Sequence, residues 1–286
     1  MRLPMAHGGR QSMDGLVGDL IPSAVQAAWG LSADDTASPL NGGGNRSVRV
    51  GDVVFKPADD IVEATWCQES LSQLVLDGFR IADPVRSLHG RWVESGWTAS
   101  RWIEGVAGPD GHWGQLLETS ARFHQILSRV EPPPFLGQRT HRWAVVDRAA
   151  WREVRLEWLP ATISRARILY ELWEPLDLPA QVIHGDLSGN VLFGEGLMPA
   201  VIDFSPYWRP AAFADAVILM DGMLWFGGDA IVSLIPRTST FSQLLVRAAL
   251  FRLGALNERA RTVDPACLDE LPTFDRAIGW LTENMR

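Results

Sequence analysis

The sequence predicts an α+β protein in two parts: a small, mostly antiparallel sheet carrying one main helix, then a larger and mostly helical part. Three observations predict it. A strong β-hairpin pattern occupies residues 47–57, apolar residues recur at helical spacing from Trp113 onward, and the change of character falls near Gly105. The expected organisation is a flexible N-terminus over 1–19, a first part over 20–104 and a helical part over 105–286, joined near Trp102 to Gly105.

Taken in order, residues 5–18 are polar and glycine-rich, and order is expected to begin near Leu20. Ile21 to Leu31 reads as a short helix, with Pro22 near its first turn and Gly30 as its stop. The glycine-rich turn Asn41–Asn45 then leads into a hairpin. Ser47–Val50 alternates, Gly51-Asp52 is a two-residue turn signal, and Val53–Lys56 is a β-branched and aromatic run closed by Pro57. Asp59 or Asp60 can cap a helix from about Ile61 to Leu76, ending at Asp77-Gly78. Further strands are expected around Val85–Leu88 with Arg91–Glu94, and over Trp97–Ile103.

Beyond Gly105, Trp113, Leu116, Leu117, Phe123 and Leu127 share one helical face, with His124 at its edge as a core histidine. Helices are also expected over 145–159, 163–173, 213–225 and 241–256, interrupted by one β-rich passage from Val182 to Phe204.

Charge narrows the function. The 286 residues carry 34 Asp and Glu against 26 Lys and Arg, a formal net charge of −8, which argues against a general nucleic-acid or anionic-membrane surface. Cys67 and Cys267 are too few for a disulfide framework, and no run approaches the ~20 apolar residues of a membrane helix. A cytoplasmic setting is expected. Only Lys56 among the cations is a lysine. A coding bias toward arginine explains the others, so the position that kept a compact ammonium is a candidate site where the two are not interchangeable.

The chemistry concentrates in VIHGDLSGNVLFGEGLMPAVIDFSPYW, residues 182–208. Short apolar strand signals at Val182-Ile183, Val191–Phe193 and Val201-Ile202 place His184, Asp186, Asn190 and Asp203 at strand ends and in the loop between. Two carboxylates and an amide oxygen are the hard-oxygen set that suits Mg²⁺, an ion that takes one or two carboxylates plus substrate phosphates. Individually each residue has a plain alternative: Asp186 and Asn190 as turn formers, His184 as a satisfied structural histidine, Asp203 as a strand-end cap.

In this order and spacing, however, HGD-x-x-x-N, an apolar strand and I-D-F resemble the catalytic and metal loops of the aminoglycoside phosphotransferase and choline kinase branch of the protein-kinase-like fold. The resemblance spans most of the chain, and implies a bilobal fold with an antiparallel-sheet N-lobe and a helical C-lobe. It implies an ATP-dependent, Mg²⁺-requiring phosphotransferase acting on a hydroxyl of a small molecule. Asp186 would orient the acceptor hydroxyl and accept its proton; Asn190 and Asp203 would ligate Mg²⁺. Lys56 would hold the α- and β-phosphates, positioned by Glu69, favoured over Glu63, from the following helix. Backbone amides around Gly43, Gly44, Asn45 and Arg46 would cover the phosphates, and main-chain groups of Arg101, Trp102 and Ile103 would meet the adenine edge. Asp215 would brace the catalytic loop.

Two departures from the pattern stand out: three residues rather than four separate Asp186 from Asn190, and Ser205 stands where glycine is usual. They keep open a nucleotide-binding module that acts through protein contacts. Trp66, Trp92, Trp113 and Trp225 are expected in core and interface positions, and Tyr207 and Trp208 beneath the acceptor. Asp221, Asp229 and Glu174 read as solvated acids. A monomer or weak dimer is expected.

Overall fold

The computed structural model describes residues 15–40, 46–226 and 229–285. The chain folds into two compact units, one from the described residues of Arg2–Gly108 with Gly189–Phe204, the other from those of Pro109–Ser188 and Ser205–Arg286.

In the first unit, β1 (Gly15–Leu16) runs into α1 (Val17–Leu20), and α2 (Ser23–Trp29) begins after Pro22 and stops at Gly30, whose left-handed φ of 69° only glycine adopts freely. β2 (Thr36–Pro39), β3 (Val48–Val50) and β4 (Val53–Pro57) follow, the last two forming the expected hairpin with Val50 opposite Val53. α3 (Ile61–Ser72) is capped by Asp60, whose carboxylate accepts the Glu63 N–H at 3.0 Å. β5 (Arg80–Ile81), β6 (Pro84–Val85), β7 (Val93–Glu94), β8 (Trp97–Arg101) and β9 (Val106–Ala107) complete the first stretch.

The main sheet is ordered β1-β2-β3-β4-β8-β6, with β7 on β8. Val17, Ile21, Val25, Val48 and Phe55 are buried beneath it. Two later strands, β11 (Val191–Phe193) and β12 (Ala200–Val201), enter a second sheet of the same unit, ordered β5-β12-β11-β9.

The second unit holds α4 (Trp113–Leu127), α5 (Arg142–Ala150), α6 (Ile163–Leu172), the two-stranded ladder of β10 (Gln181–His184) and β13 (Pro206–Arg209), then α7 (Ala211–Trp225), α8 (Asp229–Val232), α9 (Ser239–Thr262) and α10 (Leu271–Asn284). Its core is the packing of α5, α6, α7, α9 and α10 around Ile183, Phe213, Leu245 and Phe251.

Four expectations are corrected. The helix expected to Leu76 ends at Ser72, because the chain must leave α3 to let Arg80 pair with Ala200 of β12; Val75, apolar but 84% exposed, shows that the run past Ser72 is not a buried stripe. The helix expected over 145–159 is α5, shifted toward the N-terminus: Arg152 takes a left-handed φ of 59° and Asn257 of α9 accepts the Leu159 N–H instead. α9 is longer than expected at both ends, its start fixed by the Thr238 hydroxyl oxygen accepting the Phe241 N–H. Finally, the β-rich passage continues past Phe204 into β13.

Candidate functional site

Within the first unit, β4 lies between β3 and β8, with Lys56 opposite Thr98, whose hydroxyl donates to the Lys56 carbonyl at 3.2 Å. This central position fixes the backbone from which the ammonium projects. Its partner is Asp203, a residue 147 positions away whose carboxylate forms an ion pair with Lys56 Nζ; the two side chains are 33% and 35% exposed. Asp203 has a left-handed φ of 52°, a conformation that aspartate tolerates better than branched residues do. The left-handed residue of this loop is therefore Asp203 itself and not Ser205.

Two contacts hold the loop from α3: the Trp66 and Phe204 rings stack with centroids 6.2 Å apart, and Cys67 Sγ lies 3.9 Å from the Phe204 carbonyl. Asn190 enters from the neighbouring strand. Its carbonyl accepts the Ile202 N–H at 2.9 Å, and Val191 pairs with Val201, so Asn190 and Asp203 lie at the same end of the β11–β12 ladder.

The helix carboxylate favoured for Lys56 is not the one that holds it. Glu69 is exposed and makes no ion pair among the described residues. Trp66 and Cys67 of α3 meet the loop at Phe204. Arg46 forms a bidentate pair with Asp59 at 2.8 and 2.7 Å, while Gly43, Gly44 and Asn45 lie outside the described residues. Of the three residues expected at the adenine edge, two spend their N–H groups internally: Arg101 on the Asp83 carbonyl at 2.8 Å and Trp102 on that of Asp52 at 2.7 Å. Ile103 is left, its N–H bonded by no described residue. Just beyond, Gly105 has φ 146° and so little room that a Cβ would lie 2.8 Å from Leu192 Cβ, which makes glycine obligatory there.

The second unit carries Asp186. β10 delivers the chain to His184 and Gly185, whose added Cβ would come within 2.5 Å of Tyr207 Cε2 and closer to Cδ2. Glycine here lets the β13 ring lie against the backbone. Tyr207 is buried under Arg139 and Phe251, so it backs the loop; Trp208, next to it, is 37% exposed. Burial pushes the Tyr207 hydroxyl well above its usual range.

A relay fixes the main chain before Asp186. His184 N–H donates to His124 Nε2 at 3.0 Å, which places the His124 proton on Nδ1, 3.2 Å from Ser120 Oγ; the Ser120 hydroxyl donates to Asp215 at 2.6 Å. Asp186 N–H in turn donates to His184 Nδ1 at 3.2 Å. His124 must be neutral in this arrangement, and burial, aided by His184, pulls its pKa down to about 3. Burial raises Asp215 to about 6. Among the described residues, Asp215 is linked to the loop that carries Asp186 through Ser120 and His124.

Direct contact with the loop comes from two residues whose roles the sequence did not disclose. Arg252 of α9 donates to Asp186 Oδ1 at 2.7 Å and, through Nε and Nη2, to both oxygens of Asp221 at 2.6 Å. Ser188 Oγ donates to the same Asp221 at 2.7 Å. Asp221, expected as a solvated acid, is wholly buried on α7. A signal existed: Arg252 and Asp221 each interrupt a strongly apolar run, ALFRLGAL and AVILMDGMLW, and charges buried in such helices require a partner.

Asn190 and Asp203 supply an amide and a carboxylate, and among the described residues no group of three or more His, Cys, Asp or Glu could hold a metal. That donor set fits Mg²⁺, which draws its remaining oxygens from phosphates and water. No helix among the described residues is long and apolar enough to cross a membrane.

The sequence model of the phosphotransferase enzyme family matches residues 82–236. Among solved structures, a spectinomycin phosphotransferase in complex with ADP and spectinomycin is 15% identical, with a TM-score of 0.57 over 91% of this chain and 96% of that one. A choline/ethanolamine kinase family protein from Mesorhizobium loti is 15% identical, with a TM-score of 0.55 over 87% and 88%. An amicoumacin kinase in complex with AMP-PNP, Ca²⁺ and its ligand is 15% identical, with a TM-score of 0.54 over 88% and 86%. These likenesses show a shared kinase-like fold. No curated protein matches the chain.

Proposed function

The chain belongs to the phosphotransferase enzyme family, whose model covers more than half of it, and from that premise we propose that it transfers the γ-phosphoryl group of ATP to a hydroxyl of a small molecule. The observation that carries this reading is the pairing of the only lysine, Lys56, with Asp203, beside Asn190 in ladder register. A cation for the phosphates, and an acid and an amide that would hold a divalent ion, are what phosphoryl transfer requires.

Asp186 accepts the acceptor's hydroxyl proton as the new O–P bond forms and the bond to the β–γ bridging oxygen breaks, releasing ADP. Lys56 holds the α- and β-phosphates, and Asn190 and Asp203 would hold Mg²⁺, which would supply charge neutralisation. Ile103 is the main-chain donor left for the adenine edge. Little covalent chemistry is asked of the protein, so positioning and charge suffice.

The test is ADP release with a panel of hydroxylated compounds that includes spectinomycin, hygromycin B, amicoumacin, choline and ethanolamine. Acceptor-dependent ADP release, with a product carrying one more phosphoryl group, supports the proposal. Tight nucleotide binding without acceptor-dependent turnover favours the binding module instead.

A further inference from the structure

We propose that Arg252 is a positioning residue for phosphoryl transfer, holding the Asp186 carboxylate in the orientation from which it meets the acceptor hydroxyl. The inference rests on Asp186 having the role proposed above. Its basis is the use made of the guanidinium. Arg252 is 5% exposed, and Asp221, against which it is clamped by two 2.6 Å bonds, is 0% exposed. A further Nη2 bond reaches out to Asp186, which is 35% exposed. The buried half of the arrangement fixes the cation, and the cation fixes the half-exposed acid.

Three further contacts restrict the cluster. The rings of Phe251 and Trp225 lie 5.2 and 5.9 Å from the guanidinium carbon. Ser188, two residues after Asp186 and 1% exposed, is tied to Asp221, so both flanks of the buried Leu187 hang on one ion pair. That tethering gives the shortened loop after Asp186 a defined course. Burial opposes the charge on Arg252, but Asp221 and Asp186 more than offset it, so the cation persists throughout the working pH range.

Stability alone does not account for the cluster, because a buried ion pair is often replaced by apolar side chains without loss. Nor would a lysine serve. Its point charge cannot hold Asp221 bidentately while bonding Asp186 in a fixed direction.

The experiment compares Asp221→Leu/Arg252→Met, which removes both buried ions at similar volume, with Arg252→Lys, which keeps the charge without the planar fork. ADP release with an acceptor used by the wild type should fall about 10- to 100-fold in kcat for both, with the KM for ATP changed less than about threefold. Made in an Asp186→Asn chain, the same changes should lower the residual turnover by less than about threefold, because the effect runs through that carboxylate. Equal losses in both backgrounds, or an unchanged kcat, would overturn the proposal. If the wild type phosphorylates no acceptor, the functional reading fails separately. Arg252 is then judged by crystal structures of the two variants: a displaced Asp186 carboxylate supports the positioning role, and an unmoved one overturns it.

Discussion

Replacing Gly185 by alanine places a methyl group where the Tyr207 ring already lies. The added Cβ would sit 2.5 Å from Cε2 and closer to Cδ2, more than 1 Å short of the roughly 3.5–4.0 Å at which carbon atoms attract. The ring cannot retreat easily: it is buried, Arg139 covers its face at 5.0 Å, Phe251 meets it edge-on at 5.9 Å, and its backbone is paired with Ile183. Gly185 does not have a positive φ, so overpacking is the whole penalty. Overpacking of a rigid site costs about 1–3 kcal/mol, and the upper end applies here. Urea unfolding followed by tryptophan fluorescence should show this loss for Gly185→Ala. In Gly185→Ala/Tyr207→Leu, where the ring is gone, the alanine should cost less than about 0.5 kcal/mol relative to Tyr207→Leu alone. A Gly185→Ala chain within about 0.5 kcal/mol of wild type, or equal costs with and without the ring, would refute the packing argument.

Three further outcomes follow from the geometry. Between about pH 4 and 6 the native state keeps a proton on Asp215 and none on His124, whereas the unfolded chain does the reverse, so their contributions to the pH dependence cancel. Asp215→Asn should expose the histidine, with stability lost as the pH falls below about 6.5 by up to ~1.4 kcal/mol per unit; His124→Gln should expose the acid, with stability lost as the pH rises from about 4 to 6. Urea midpoints across that range decide it, and matching slopes in both variants would contradict the relay. Lys56→Arg should weaken ATP binding at least about 10-fold in a calorimetric titration, because a guanidinium does not reproduce the compact ammonium on β4. Thr238→Ala should cost about 1 kcal/mol by removing the cap of α9, read as a shift in urea midpoint at constant slope.

The parts of the fold legible in the sequence are those fixed by neighbours along the chain. The β3–β4 hairpin follows from alternation and a Gly51-Asp52 turn, and the ends of α2 from Pro22 and Gly30, all within a few residues. His184, Asp186, Asn190 and Asp203 stand out because their order and spacing match a known pattern. What stayed hidden depends on distant contacts. The partner of Lys56 lies 147 residues away, and the position of Glu69 along α3 does not reveal which face of that helix turns to solvent. Arg252 meets Asp186 across 66 residues and Asp221 across 31. The apolar flanks of these charges run against the expectation of a solvated Asp221, but even they do not say which charges meet. The end of α5 was missed for a related reason: Arg152 carries no local sign of its left-handed backbone, and the Leu159 N–H is satisfied by Asn257, 98 residues on.

The most direct test of the proposed chemistry is single-turnover transfer of radiolabelled γ-phosphate from ATP to an acceptor by the wild-type chain and by Asp186→Asn, each saturated with nucleotide. The expected result is transfer by the wild type, slowed about 10²- to 10⁴-fold in the variant while its affinity for ATP is retained. Equal transfer rates in the two proteins would contradict the assignment of Asp186 as the acceptor's base.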